Sequence, residues 1–410
     1  AASRGGLLDL GRPSTTLGDV GSGPFDAGAM ARRRGGLAWF LPLLLASAAR
    51  AKCRAAHWAP QVLDGAGCAF LSGAPQQQGL GHAFMSFNRL VQVASRLSLT
   101  VDAAFQSRGH GMNATRVRRH FFGDAFRQHA TMHCTRITAN TEADLDQSVA
   151  AWRADASAPV VGAPCRTCVV FQLREVKPYD KVINVAAYRN LYQGQRHRRT
   201  AAGPAGPARV PRRSEPDAAL DIVVHIRRGD QLKYGRRNAA YVEQRYVPNV
   251  AFVRLIDALI SSLEQLGDGS RYRVVVLCEG AAGGVVPDVD GTFTNFSRAL
   301  KPHARLELLD GPKDAIDAFE AMCNADVLVT SKSGFSHLAA LLCDKPVVLA
   351  VPSWLSYDCV PNALPLSARV QVFRENPSKK PVRLAAELAF DQNEFHALFR
   401  QQRARLRPPR

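Results

Sequence analysis

The sequence predicts an α/β protein of two halves, each with a parallel sheet covered by helices. Three observations carry this. Beyond residue 218, short and nearly all-apolar segments alternate with amphipathic ones, the rhythm of a parallel sheet buried on both faces. Nearer the start, the Gly-rich turn Gly79-Leu80-Gly81-His82 feeds an apolar periodicity at Leu90, Val91, Val93, Ala94 and Leu97, and then a strand-like stretch at 99–105. Between these regions, residues 195–217 are dominated by Arg, Gly, Pro and Ala, a composition with little to pack, which marks a linker or long loop and a boundary near residue 218.

Taken in order, the predicted elements begin with the turn, helix and strand of residues 79–105, followed by a second strand at 168–173. Past the boundary come a strand at 220–226, a helix at 250–266 and strands at 272–277 and 304–309. A helix at 315–323, a strand at 326–330, a helix at 335–342 and a strand at 346–351 complete the pattern. The domains expected are 52–194, the linker 195–217, a second domain at 218–375, and a C-terminal helix with a basic tail at 376–410.

With 46% hydrophobic and 21% charged residues in 410, the chain can bury a large core and is not a disordered scaffold. The net charge of +18 suits a nucleic-acid binder, yet the arginines gather at 32–34, 196–213 and 400–410, in flanks and linker. No aromatic residues interleave with them and no zinc-finger or RNP pattern is present, so nucleic acid is not an expected partner.

After Met30, the trio Arg32, Arg33 and Arg34 precedes an apolar run at 37–46 and the small-x-small triplet Ala49-Arg50-Ala51. This reads as a signal peptide spanning 30–51, behind an upstream extension of 1–29. A signal anchor that tethers the chain to a membrane is the alternative, and an organelle transit peptide the third reading. The secretory pathway, Golgi or ER lumen, is therefore the expected location, with secretion as the alternative. The sequons Asn113-Ala114-Thr115 and Asn295-Phe296-Ser297 agree with that route. Nine cysteines are present. Cys53 and Cys68 form one candidate pair, and Cys134, Cys165 and Cys168 form a second group. Cys165 and Cys168 lack the second Cys pair or His pair of a zinc site, which favours structural disulfides.

The sharpest motif is His225-Ile226-Arg227-Arg228-Gly229-Asp230, at the end of an apolar strand. Ligands of parallel α/β sheets bind beyond the carboxyl ends of the strands, so arginines here meet whatever fills the crevice. A diphosphate is the natural guest, since guanidinium groups offer planar forks of donors and neutralise charge on a departing diphosphate. Gly229 permits a tight turn, and Asp230 orients an arginine or caps the next element. Arg228-Gly229-Asp230 also spells an adhesion tripeptide, but that role needs an exposed loop tip. A second block, Asp314 to Leu342, contains an acidic helix, a strand and the turn Ser331-Lys332-Ser333-Gly334-Phe335-Ser336-His337, where helix amides and hydroxyls form an anion site. Asp144-Leu145-Asp146 and Asp288-Val289-Asp290 have the Asp-x-Asp form of divalent-cation sites. Neither follows an apolar strand, so solvated loops are expected and no metal.

The arginine string resembles the H-x-R-R-G/T-D motif of the α1,2-, α1,6- and nodulation fucosyltransferases, and the Asp314–Ser336 block is similar to their C-terminal motif. The strand ending at Cys278-Glu279 and the Gly79-Leu80-Gly81 turn resemble their middle strand and N-terminal loop in part. Matched stretches cover 79–105 and 219–352. The resemblance implies two Rossmann-like domains of GT-B type, an acceptor-side half at 52–194 and a nucleotide-sugar half at 218–375, with the donor in the cleft between them. It implies an inverting, metal-independent transferase with no cofactor, GDP-fucose as donor substrate, and a glycan or glycoprotein hydroxyl as acceptor. Carried over, Arg228 contacts the β-phosphate with His225 nearby, and Arg227 assists. Gly81, His82, Ser331, Ser333, Gly334, Phe335 and Ser336 line the donor, and Asp317 reaches the base or ribose. The family's later Glu is replaced by Gly235, leaving Glu243, Asp230 and His225 as candidate bases. The alternatives are another nucleotide-sugar donor, or a non-catalytic carbohydrate-binding protein of the same fold.

Overall fold

Two parallel sheets frame the computed structural model of the chain, which describes residues 69–73, 79–101, 114–122, 134–155, 168–174, 185–201, 219–229, 232, 245–267, 271–279, 284–288, 291–300, 303, 306–310, 314–353, 355–373 and 383–406. All of these belong to one compact unit, Ser47–Arg410. The signal segment, Cys53, Cys68, Asn113, Cys165, Asp230, Gly235, Glu243, Asp290 and the last four residues lie outside the described residues.

In the N-terminal half, β1 (Ala69–Gly73), β2 (Thr100–Val101), β3 (Cys134–Ala139) and β4 (Cys168–Leu173) pair in parallel in the order β2-β1-β4-β3. Helix α1 (Leu80–Arg96) buries Leu80, Phe84, Phe87, Val91 and Ala94 along one stripe, the spacing of an amphipathic helix. Helices α2 (Ala114–Phe122), α3 (Glu142–Ala154) and α4 (Val185–Ala201) follow. A disulfide joins Cys134 and Cys168, which face each other at the first positions of neighbouring strands.

Asp144 and Asp146, expected in a solvated loop, lie instead in the first turns of α3. Thr141 Oγ1 accepts from Asp144 N at 3.2 Å and Asp144 Oδ2 accepts from Thr141 N at 3.0 Å, a reciprocal capping box. Asp146 takes both Arg96 Nη donors at 2.8 Å. Both carboxylates stabilise a helix end that the Thr141-x-x-Asp144 spacing already encoded.

The C-terminal half holds β5 (Leu220–Ile226), α5 (Asn249–Gln265), β6 (Tyr272–Cys278) and the antiparallel hairpin β7 (Val285–Pro287) and β8 (Phe293–Asn295). After the short α6 (Phe296–Ala299) come β9 (Leu306–Asp310), α7 (Ala315–Asn324), β10 (Val327–Val329), α8 (Gly334–Leu342), β11 (Val347–Ala350) and β12 (Ala363–Pro365). The chain ends with the antiparallel pair β13 (Ser367–Phe373) and β14 (Arg383–Ala389), then α9 (Gln392–Leu406). The six-stranded parallel sheet is ordered β12-β11-β10-β5-β6-β9. Read from β9, this is the order 3-2-1-4-5-6 of doubly wound dinucleotide folds, with its reversal between β5 and β10.

Both faces of this sheet are dry. Ile222, Val224 and Ile226 of β5 enter one core, and Val223 enters the other. That second core runs through both halves, joining Leu71, Phe84 and Tyr188 to Phe319, Leu328 and Leu338. Each fully buried Leu or Phe contributes about 2 kcal/mol, so the two halves are held on a common apolar floor.

The expected linker begins later than its composition implied, because residues up to Ala201 complete α4. Its arginines find a partner there. Arg196 Nε donates to Glu320 Oε2 at 3.1 Å and Arg199 Nη2 to Oε1 at 2.9 Å. Tyr192 Oη also donates to Oε1 at 2.9 Å, and His120 Nε2 lies 2.9 Å from it. Burial alone would raise the Glu320 carboxyl, but the His120 hydrogen bond and the Arg196 charge override it and hold it at about 2. Burial pushes the His120 imidazole down, against the raising effect of its hydrogen bond to Glu320. The segment expected as a C-terminal helix and tail contributes β14 before its helix. A second disulfide, Cys323–Cys343, ties the end of α7 to the residue after α8.

Because Glu320 is depressed in the folded state, its stabilisation is complete above pH ~4.5 and fades as the pH falls towards about 2. Urea midpoints measured across that window should fall steeply for the wild type. Glu320→Gln should be less stable at neutral pH, by about 3 kcal/mol, and show a flatter acid limb. An unchanged acid limb in that variant would remove Glu320 as its source.

Candidate functional site

The reversal of strand order places the carboxyl ends of β5 and β10 side by side with their outgoing chains diverging, which opens a crevice. Register defines what meets there. Val329 is level with Val224, so the residues leaving β10, Thr330 to Ser333, run alongside His225, Ile226 and Arg227. His225 Nδ1 and Ser331 Oγ share a hydrogen bond of 2.8 Å, and Arg227 Nη1 reaches across to the carbonyl of Lys332 at 3.5 Å. Phe335 presents its ring edge to His225 and Phe319, with centroids 5.6 and 5.9 Å away.

Two helix starts converge on this point, one from each half. A Cβ on Gly81 would sit 2.1 Å from the carbonyl carbon of Gly334, so only glycine allows the first turns of α1 and α8 to touch. Neither helix carries an acidic residue in its first turn. Helix amino ends bear partial positive charge, and two brought together favour an anion between or beside them. Gly229 serves the same edge. Its φ of +22° is left-handed, and a Cβ there would lie 2.0 Å from Glu279 Oε2 at the end of β6.

The serines hold the shape of the turn. Ser333 Oγ accepts from Phe335 N at 3.3 Å as the cap of α8, and Ser336 Oγ accepts from Ser331 N at 3.2 Å. Ser331, Ser333 and Ser336 are buried, and their hydroxyls brace the loop by bonding its own backbone and His225. Lys332, which the sequence reading passed over, sits between them with burial lowering its ammonium. Its place between two serines at a strand end was the available signal.

Arg228 does not reach the crevice. It is 1% exposed, the least accessible of the charged residues described. Nε donates to Pro287 O, Nη1 to Arg227 O and Nη2 to Val247 O, each at 2.9 Å, and Nη2 also meets Asn249 Oδ1. The guanidinium lies 4.4 Å over the Tyr246 ring. Burial pushes it down to about 10, which leaves it charged at neutral pH. This corrects the expectation that Arg228 grips the phosphate. Consecutive residues leaving a strand point to opposite sides: Arg227 bonds the carbonyl of Lys332 beyond β10, while Arg228 turns the other way into α5 and the hairpin.

His225 is corrected as well. Burial, with the Arg227 charge behind it, pushes the imidazole down to about 3, so it is a weak base and stays neutral at physiological pH. It positions Ser331 through the shared hydrogen bond. His82 is half-buried at the start of α1, next to Gly81. Asp317 lies at the seam between the halves, where burial first and Asp314 second raise its carboxyl against the opposing charges of Arg116 and His120. Its Oδ1 is buried without a hydrogen-bond partner. Asp288 accepts from Asn249 N at 3.1 Å, which gives it a bracing role beside Arg228. Among the described residues no cluster of His, Cys, Asp or Glu is arranged to hold a metal ion, and no helix is long and apolar enough to cross a membrane.

No family model and no curated protein matches the chain. Among solved structures it is similar to POFUT1 in complex with GDP-fucose, at 10% identity and a TM-score of 0.35, over 67% of this chain and 94% of that one. It is similar also to NodZ α-1,6-fucosyltransferase soaked with GDP-fucose, at 10% identity and a TM-score of 0.30, over 77% and 98% of the two chains. The E. coli heptosyltransferase WaaC with ADP shares 12% identity at a TM-score of 0.30, over 72% and 92%.

The different settings of the adjacent arginines give opposite expected outcomes. Arg228→Ala should cost about 3 kcal/mol or more in urea unfolding, because four acceptors lose their donor inside the protein. Arg227→Ala should stay within about 1 kcal/mol of the wild type. The reverse ranking would overturn the assignment.

Proposed function

We propose that the chain is a nucleotide-sugar-dependent glycosyltransferase whose donor diphosphate lies at the reversal point between β5 and β10. The observation that carries this reading is the meeting of three anion-favouring features at that one place: Arg227 at the end of β5, and the amino ends of α1 and α8 packed glycine to glycine. In sugar transfer, an acceptor hydroxyl attacks the anomeric carbon while the diphosphate departs with the bonding electrons. Charge grows on the leaving group, and donors fixed in advance lower the barrier without having to reorganise. Arg227 supplies a permanent charge and a fork of donors for that purpose.

Fucose from GDP-fucose is the finer reading. It rests on the resemblance of His225-Ile226-Arg227-Arg228-Gly229-Asp230 to the fucosyltransferase motif, with Arg227 taking the phosphate role and Arg228 the architectural one. The acceptor is a glycan or glycoprotein hydroxyl, the stereochemistry inverting, and the location the lumen of the secretory pathway, reached through residues 30–51. A base for the acceptor is sought in Asp230 or Glu243, since His225 is too weak.

Calorimetric titration of the full-length protein with GDP-fucose, GDP and a panel of other nucleotide sugars, followed by assay for released nucleotide, tests the proposal. Arg227→Ala should weaken binding of every GDP ligand by about 10- to 100-fold, the worth of a charge-assisted hydrogen bond. Wild-type affinity in that variant would exclude the site, and binding without turnover would exclude the enzyme. Preference for a UDP or ADP sugar would move the donor assignment but keep the site.

A further inference from the structure

Phe293 is the most exposed large apolar side chain among the described residues, at 68%. A single exposed phenylalanine is ordinary on a protein surface, so its register with a neighbour is what gives it meaning. In β8, Phe293 and Asn295 are exposed while Thr294 between them is half-buried. The partner strand repeats the alternation, with Val286 fully buried between half-buried Val285 and Pro287. Pairing sets Val285 opposite Asn295 and Pro287 opposite Phe293, so all four share the outer face of the hairpin. Residues two apart on a strand stand about 7 Å from each other, a span that one sugar ring covers.

Asn295 opens the triplet Asn295-Phe296-Ser297, an acceptor for N-linked oligosaccharide. Its side chain is half used. Oδ1 accepts from Arg298 N at 2.9 Å, capping α6, and Nδ2 has no partner among the described residues. Phe296 is fully buried and anchors the turn, while Ser297 is exposed. The triplet is thus presented on an ordered, outward-facing corner, with an aromatic ring two residues upstream on the same face.

We infer that Asn295 carries an N-linked oligosaccharide whose first N-acetylglucosamine lies over the ring of Phe293. The inference rests on the lumenal route of the proposed function and is independent of the donor chemistry. In the transfer, Nδ2 bonds to the anomeric carbon of a lipid-diphosphate-linked oligosaccharide delivered by the lumenal transferase. The amide gives up one proton, and the lipid diphosphate leaves with the bonding electrons. The substituted amide keeps its oxygen, so the cap on α6 survives. The C–H face of the sugar removes the exposed ring from water, which gives Phe293 a partner that the protein alone does not provide.

The full chain, expressed in cultured eukaryotic cells and recovered from sealed vesicles after external protease treatment, provides the test. Peptide N-glycosidase digestion in heavy-oxygen water should convert Asn295 to labelled Asp, read by mass spectrometry, and should increase gel mobility. Ser297→Ala retains the Asn295 cap and should abolish the label at Asn295, as should Asn295→Gln. Enzymatic removal of the glycan should lower the thermal midpoint of the wild type by a few degrees and leave that of Phe293→Ala almost unmoved. Vesicle-protected protein with bare Asn295, or a chain that is never protected, would overturn the site. Equal midpoint shifts in wild type and Phe293→Ala would overturn the sugar-on-ring contact.

Discussion

The meeting of Gly81 with Gly334 is the contact around which this molecule is arranged. A methyl group on Gly81 would drive into the opposing backbone, so the amino ends of α1 and α8, and with them the two halves, are set by van der Waals contact between main chains. Helix amino ends repel one another when nothing lies between or beside them. The common apolar floor beneath, from Phe84 and Tyr188 to Phe319 and Leu338, holds them together regardless. The result is two helix amino ends meeting beside the point where the strand order reverses.

Two buried charges away from the crevice are closely partnered among the described residues. Glu320 sits at the seam with three nitrogen partners and a phenol, and Arg228 commits donors on all three of its nitrogens to three carbonyls and an amide oxygen. Both are buried ions that would be costly if left bare. Both tie elements that are far apart in sequence: α2 and α4 to α7, and the end of β5 to α5 and the hairpin. The strongest local motif therefore divides its labour. One arginine ties the end of β5 to α5 and the hairpin, and its neighbour bonds the carbonyl of Lys332 beyond β10.

Much of the frame was legible in the residues. The strands at 168–173 and 220–226 and the helix at 315–323 follow from apolar runs and periodicity, since a parallel strand buried on both faces has no polar phase to blur it. Helices α2, α3 and α4 were missed. Their mean composition is polar, and their stability comes from particular partners such as the Thr141 capping box and the Arg199–Glu320 pair. The basic stretch from 195 read as linker because composition cannot see a carboxylate 121 residues away.

The sequence by itself determined the α/β class, the strand that ends in His225-Ile226-Arg227-Arg228, and the glycine turn that begins α1, because all three depend on local spacing and on backbone freedom. Which arginine faces the crevice, that His225 is neutral, and that the serine hydroxyls turn inward were decided only by tertiary structure. Burial and the direction of a side chain leaving a strand depend on what packs against it. For Arg228 that is Tyr246, Val247, Asn249 and Pro287, which the chain brings back only after β5 is made.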